Sequence, residues 1–464
     1  MAGSGKKTIV GKIHPDVLSF TVGKDPVLDR ELAIWDCCCT AAHVTMLSKM
    51  KVNPPVFTPA ERDKVLEGLK QVAVDVVDGK FSITESDQDV HLAIERRLTS
   101  MLGDTGRKVH TGRSRNDQVA VDIRLHMRDQ LLGLFEEVAG LSSVLVEFGK
   151  THSGVPMVGR THLQPAMPSS VGLWATAWAE TLLDDLFMAE AAYRLNDRCP
   201  LGSAAAYGVP LPLDRELTSQ LLGFEQPHHN VLHAANARGK IESVVLAACG
   251  QLMLTLSRLA EDLILFSMPE FGYFVLPPEL CTGSSIMPQK YNPDVLELIR
   301  AKAAVVTGYG TTVNTILKAM PGGYNRDVQD TKELYMEGMR ITRSSMRIMS
   351  LMAKSLEVRP TKLREAFSSG VFATDKALEM VAGGMPFRDA YQYVRSHLDD
   401  LEKADPDAAL AAKTHLGAPG GLDFDGYRNR IREILKGIRS RRRTSERILG
   451  KLLGISISKR SQSL

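Results

Sequence analysis

No stretch of this 464-residue chain supplies the roughly 20 uninterrupted apolar residues that a membrane-spanning helix needs. The opening MAGSGKKTIVGKIHPDV has an early lysine pair but no apolar segment behind it, so a secretory signal is not expected. Cysteine is scarce: Cys37, Cys38, Cys39, Cys199, Cys249 and Cys281, with no CxxC pair. That spacing excludes a zinc ribbon, and three consecutive cysteines argue against a disulfide framework. Reduced thiols packed as small apolar residues of a cytoplasmic protein are expected instead. An excess of one charge sign is also missing. The net charge is +3, yet 12 basic and 2 acidic residues from Tyr427 onward leave the rest at −7. A basic tail on a mildly acidic body is not the footprint of a nucleic-acid-binding protein.

What is present is helix. A hydrophobic content of 44% with 24% charge is globular composition, and the length suggests about three domains. Val119, Ile123, Met127, Leu131 and Leu134 recur at three- and four-residue spacing in a proline-free run from Asn116 to about Lys150. Further long helices are expected from near Pro168 to Asn196, Val231 to Met268, Asn292 to Met320 and Lys332 to Leu356. Their lengths far exceed the usual average of about 11 to 12 residues. Several are apolar on more than one face, which suggests a long bundle burying surface against partner chains. Strand runs are few. The expected class is all-α, as a small helical domain over 1–111, a long central bundle over 112–362, and a small helical domain with a basic tail over 363–464.

Polar, glycine-bearing clusters stand between the long helices, where loops carry function on rigid scaffolds. His110–Gln118 (HTGRSRNDQ) sets two arginines, an Asn and hydroxyls before a helix start, a surface suited to carboxylates or simply an elaborate cap. Gly159–Gln164 (GRTHLQ) offers His162 at a loop-to-helix junction, as a general acid or base or as a satisfied structural histidine. Thr282–Pro293 (TGSSIMPQKYNP) reads as a mobile glycine–serine loop with Lys290 ahead of a helix capped by Asn292, unless it is a hinge with an incidental lysine. Tyr324–Lys332 (YNRDVQDTK) precedes another long helix and by itself reads as a solvated charge run.

Taken together and in this order, the four clusters resemble the fumarase/aspartase superfamily, whose shared signature is similar to Gly283–Pro293 here. HTGRSRNDQV (110–119), THLQ (161–164), YNRDVQDTKE (324–333) and LELIRAK (296–302) are similar to the forms of its argininosuccinate lyase branch, and the resemblance runs from about Phe20 until the last 40 or so residues.

The resemblance implies a three-domain helical subunit, a homotetramer with active sites shared between subunits, and reversible cleavage of argininosuccinate to arginine and fumarate, as in arginine biosynthesis. It implies Ser284 as the base, Lys290 as the partner of the aci-carboxylate, and His162 on the acid side, oriented by Glu297. Ser114, Arg115 and Asn116, with Thr161 and Asn292, would grip the fumarate carboxylates. Tyr324, Gln329 and Lys332 would hold the arginine moiety. Asp89 and His91 would shape the site entrance, and Arg238 matches an arginine of the central bundle. No metal or organic cofactor is implied, nor a membrane or nucleic-acid partner.

Four departures stand out. Tyr291 replaces a usual lysine, Arg160 a common tyrosine and Gln88 a frequent acid. The usual opening is absent, so its substrate-binding serine has no assigned counterpart near Phe20–Asp25. Tyr291 and Arg160 could be a compensating pair. The rival readings are a related lyase acting on another N-substituted aspartate, a non-catalytic protein on the same fold, and a tail that contacts nucleic acid or a neighbouring subunit's acidic surface rather than forming a solvated helix.

Overall fold

The computed structural model describes residues 6–8 and 11–456; the rest of the N-terminal stretch read for a signal and the last eight residues of the basic tail lie outside the described residues. The nine longest helices are α1 (Ala33–Leu47), α2 (Pro59–Val77), α3 (Val90–Leu102), α4 (Arg115–Thr151), α5 (Val171–Asn196), α6 (Lys240–Ser267), α7 (Asp294–Leu317), α8 (Asp330–Lys354) and α9 (Phe424–Leu453). The chain is mostly helical, as its periodicity implies.

Helix α4 has 37 residues, a rod of about 55 Å. It packs on α5 and α8; α6 packs on α5, α7 and α8. Helix α6 is long and apolar enough to cross a membrane by composition, but here it is a core helix of this bundle. Close approach of the α4 end to the α5 start depends on small residues. A Cβ on Gly172 would lie 2.8 Å from Ser153 Cα and 2.9 Å from the Gly149 carbonyl.

One hydrophobic core runs from α1–α3 through the bundle to α9. Two minor clusters lie apart from it, Val158 with Phe367, Val371 and Phe372, and Ala377 with Ala390 and Val394. Cys37, Cys38 and Cys39 are fully buried on α1, and none of the six cysteines is in a disulfide.

Two expected helices differ in the structure. The run from Val231 to Met268 is broken into Val231–Asn236 and α6. Gly239 at the break has φ +75°, a left-handed conformation that suits glycine, and a Cβ there would meet Leu317 at 2.4 Å. Helix α7 starts at Asp294 without a side-chain cap; Asn292 instead pairs as a strand residue with Thr282. Its side chain therefore does not take the capping role that the Asn-Pro-Asp spelling suggested.

Over its described length the basic tail is a helix solvated on one face, where Arg432, Arg439, Arg443 and Arg447 stay exposed, and packed on the bundle by the other. Arg428 pairs with Glu147 at 2.5 Å, Arg430 with Asp184 at 2.9 Å and Arg441 with Glu190 at 2.6 Å. Arg442 reaches Asp129 and Glu136 at 3.1 and 3.2 Å. Four arginines of α9 thus pair with acidic groups on α4 and α5 of their own chain.

Candidate active site

The HTGRSRND cluster becomes the start of α4. Ser114 is the N-cap, its hydroxyl accepting from the Asn116 amide, while Asp117 accepts from the Ser114 amide at 2.9 Å. The other Asp117 oxygen accepts from Gly202 and Ala204 amides at 3.0 and 2.8 Å, tying the helix start to the 202–204 loop. Burial pushes this carboxyl up to about 6 although the amides pull it down. Gly112, at φ +73°, makes the turn that delivers the cluster.

Beside that helix start lies a cavity of about 150 Å³ lined by Asp25, Asp29, Asp89, His91, Arg115, Asn116, Val119, Arg238, Tyr324, Arg326, Gln329 and Lys332. Eight of these were anticipated from the sequence: Arg115, Asn116, Tyr324, Gln329, Lys332, Asp89, His91 and Arg238. Three arginines and a lysine face three aspartates, which leaves room for an anion.

All but one of the main charges are held by hydrogen-bonded neighbours, Arg238 being the exception. Asp89 caps α3, accepting from the Leu92 amide at 2.9 Å, and accepts from Arg115 Nε at 2.5 Å. Gln88, standing where an acid is frequent, still accepts from Arg115 Nη1 at 3.0 Å but adds no charge. Lys332 is nearly fully buried with its ammonium 2.5 Å from Asp29 and 2.8 Å from Asp25. Burial alone would lower its pKa; the two carboxylates raise it instead. Gln329 and Arg326 both donate to the Thr21 carbonyl, at 3.0 and 2.6 Å, and so clasp the N-terminal segment. Arg238 lies 3.6 Å from Glu242 without a hydrogen bond, and its Nε and Nη1 are buried and unpartnered. It sits at the break before α6.

Beneath the cavity, His91 Nδ1 is hydrogen-bonded to Asp36 and lies 3.5 Å from Asp122, all three buried. Burial opposes the imidazolium, but Asp89, Asp36 and Asp122 raise the His91 pKa to about 9. Burial also pushes Asp36 up, yet the His91 charge brings its net shift down; Asp122 is pushed well above the carboxylate range, mainly by burial. Donor atoms of these three residues lie within 4.8 Å, so this is a group that could hold a metal ion, though His91 Nδ1 is already committed to Asp36.

The other anticipated residues do not line this cavity. Ser114 caps α4 through its hydroxyl oxygen, which leaves its O–H able to donate. Thr161 and His162 are at the tip of an antiparallel hairpin, β1 (Pro156–Thr161) and β2 (Gln164–Ser170), not at a loop-to-helix junction. Prolines 156, 165 and 168 concealed these strands, because proline removes a ladder donor and reads as loop. His162 and Leu163 form the two-residue turn with φ +51° and +62°, values uncommon outside glycine. Arg160 braces the turn, donating to the Leu163 carbonyl at 3.0 Å and lying over the Phe271 ring at 4.9 Å. Its guanidinium is thus engaged within this neighbourhood, and no contact joins it to Tyr291 among the described residues.

Ser284 and Lys290 lie in an exposed loop closed at its base by Thr282–Gly283 pairing with Tyr291–Asn292 and by a Thr282–Asp294 hydrogen bond. The Ser284 hydroxyl oxygen accepts from the Ile286 and Met287 amides at 3.3 and 3.0 Å. Glu297 is exposed one turn into α7.

Asp25, Asp29, Arg326, Asp36 and Asp122 were not singled out from the sequence. The Asp25–x₃–Asp29 spacing ahead of α1 was the available signal, but nothing local marks an acid that will pair with a lysine 300 residues away.

A lyase family model matches residues 29–308. Argininosuccinate lyase from Sorangium cellulosum is 42% identical, over 91% of this chain and 97% of that protein. The enzyme of that name from Stenotrophomonas maltophilia is 39% identical, over 90% and 96%. Among solved structures, an EDDS lyase in complex with formate superposes with TM-score 0.79 at 23% identity, covering 100% of this chain and 98% of that one. Class II fumarase from Schistosoma mansoni superposes with TM-score 0.68 at 18% identity, covering 86% and 98%. The pairing of a helical bundle with these clusters in this order therefore has a family, and the chain belongs to the argininosuccinate lyase family of the fumarase/aspartase superfamily of lyases.

Proposed function

We propose that the protein catalyses the reversible elimination of argininosuccinate to L-arginine and fumarate, in arginine biosynthesis and in the cytoplasm, as a homotetramer whose sites draw on several subunits. The observation that carries the reading is the cavity, where Arg115, Asn116, Tyr324, Gln329 and Lys332 converge with a surplus of positive charge. Argininosuccinate bears three carboxylates, and such a surface favours it.

The chemistry removes a proton from carbon next to a carboxylate, leaving an aci-carboxylate with added negative charge. Preorganised donors aimed at that charge supply much of the rate. Ser284 is the base in this reading. A hydroxyl is a weak base, but two amides aimed at Ser284 Oγ favour its ionised form. Lys290 then stabilises the dianionic carboxylate, and His162, with Glu297, serves the acid side. Thr161, Asn292 and Ser114 join Arg115 and Asn116 around the fumarate end. Asp89 and His91 hold the entrance, and Arg238 offers unpartnered donors.

Ser284, His162 and Lys290 stand away from the cavity on exposed tips, which supports sites completed by other subunits. Phe187, Leu254 and Leu298, exposed on α5, α6 and α7, support an oligomer in the same way. The division 1–111, 112–362 and 363–464 belongs to this proposal, with α9 returning to the bundle.

Ultraviolet absorbance after mixing the protein with argininosuccinate tests the reading, because fumarate absorbs there. Fumarate from the wild type but not from Ser284→Ala is expected. Silence with argininosuccinate but turnover of another N-substituted aspartate would replace the substrate and leave the reaction class.

A further inference from the structure

The cavity holds three carboxylates, and in two of them both oxygens already accept hydrogen bonds. Asp29 gives one oxygen to Lys332 at 2.5 Å and the other to the Val90 amide at 3.2 Å. Asp89 gives one to Leu92 and the other to Arg115. Asp25 differs. Its Oδ1 meets Lys332 at 2.8 Å, while its Oδ2 has no hydrogen bond among the described residues. Its side chain is 14% exposed, against 1% for Asp29. Lys332 has three N–H donors and two carboxylate partners, so one donor remains. A free carboxylate oxygen and a free ammonium donor thus line one cavity from groups 2.8 Å apart.

An open acceptor on an anion beside an open donor on a cation matches the α-ammonium and α-carboxylate of a free amino acid, which are also adjacent. We infer that Asp25 receives the α-ammonium of the arginine end of the substrate while Lys332 receives its α-carboxylate, making Asp25 a specificity-determining residue for amino-acid substrates. The inference rests on the proposed elimination for its orientation. Asp25 is the carboxylate there with an oxygen free of hydrogen bonds, whereas both oxygens of Asp29 and of Asp89 already accept from protein donors. The remaining cavity cations favour the succinate end. Asp25 stands in the N-terminal segment clasped by Gln329 and Arg326 through the Thr21 carbonyl, which holds its backbone at the cavity. This also supplies a counterpart, of opposite character, for the missing opening serine: a charged group that distinguishes an amino acid from an amine or a simple acid.

Binding measured by calorimetry on the full-length protein tests this with three probes: L-arginine, its analogue lacking only the α-amino group, and agmatine, which lacks the carboxylate. The wild type is expected to bind arginine roughly 10- to 100-fold more tightly than the desamino analogue, the range for a charge-assisted hydrogen bond. Asp25→Asn should erase most of that ratio while still discriminating against agmatine through Lys332. General damage to the fold would weaken both ligands and leave the ratio intact, so a structural role alone cannot imitate this result. An unchanged ratio in Asp25→Asn, or none in the wild type, overturns the inference. Because binding needs no turnover, a protein that binds arginine with this pattern but makes no fumarate would sink the elimination and leave the cradle. A protein that binds none of the probes would overturn the cradle.

Discussion

Lys332 and Lys290 are the same residue type in opposite situations. Lys332 is nearly fully buried between Asp25 and Asp29, whereas Lys290 is exposed on a loop held only at its base. The same split runs through the site: Arg115, Asp89 and His91 have fixed partners, while His162 and Ser284 stand on exposed tips. In the proposed reading, the binding groups are organised by their own chain, and the reacting groups await a surface that excludes water. An ion pair or an ionised hydroxyl is worth far more once water is gone, so in the proposed tetramer these tips would gain their strength on assembly.

The largest effect that would break this comparison is on the exposed side. Ser284→Ala should lower turnover by about 10²–10⁴-fold, the usual worth of a positioned acid or base, with unchanged thermal unfolding because the side chain is not part of the core. A matching loss of stability would mean that the loop is structural. Co-assembling Ser284→Ala chains with Lys332→Ala chains sharpens the point. If the two regions of one site come from different subunits, random mixing restores both groups in about a quarter of sites. Activity no higher than the sum of the parents would place both regions in one chain.

On the buried side, Asp89→Ala removes the α3 cap and leaves Arg115 without its carboxylate, so about 1–3 kcal/mol of stability should go, read from denaturant midpoints. His91 gives a pH signature. Its folded pKa, raised to about 9 by Asp89, Asp36 and Asp122 against burial, exceeds the unfolded value of 6.5. Its contribution is therefore complete below 6.5 and disappears as pH rises through about 9. Unfolding midpoints should fall across that window, and His91→Gln should flatten the fall; an equally steep curve in the variant would assign it to other groups. The smallest effect is at the α9 surface. Arg430→Ala breaks a part-exposed pair with Asp184 and should cost no more than about 1 kcal/mol.

Much of this was legible in the chain itself. The apolar spacing from Val119 to Leu134 marks α4 because a 3.6-residue period with no proline has few other solutions. The four polar clusters are local words, and a local word survives without its tertiary setting; hence Arg115, Asn116, Tyr324, Gln329 and Lys332 could be picked before they were seen to meet. The hairpin under His162 was not legible, because its prolines hide strand character and its pairing is made between segments. Nor was the break at Gly239, where an otherwise helical pattern yields to close contact with Leu317.

The sequence by itself determined the helical bundle, the lyase family and most of the residue types lining the cavity, since periodicity and motif spelling are properties of neighbours along the chain. Only the tertiary structure decided which charges face one another. Asp25 and Asp29 reached Lys332, Asp36 and Asp122 closed on His91, and the arginines of α9 met the acids of α4 and α5. Coulomb energy depends on distance through space and on the water removed between charges, and neither quantity is written in the order of residues.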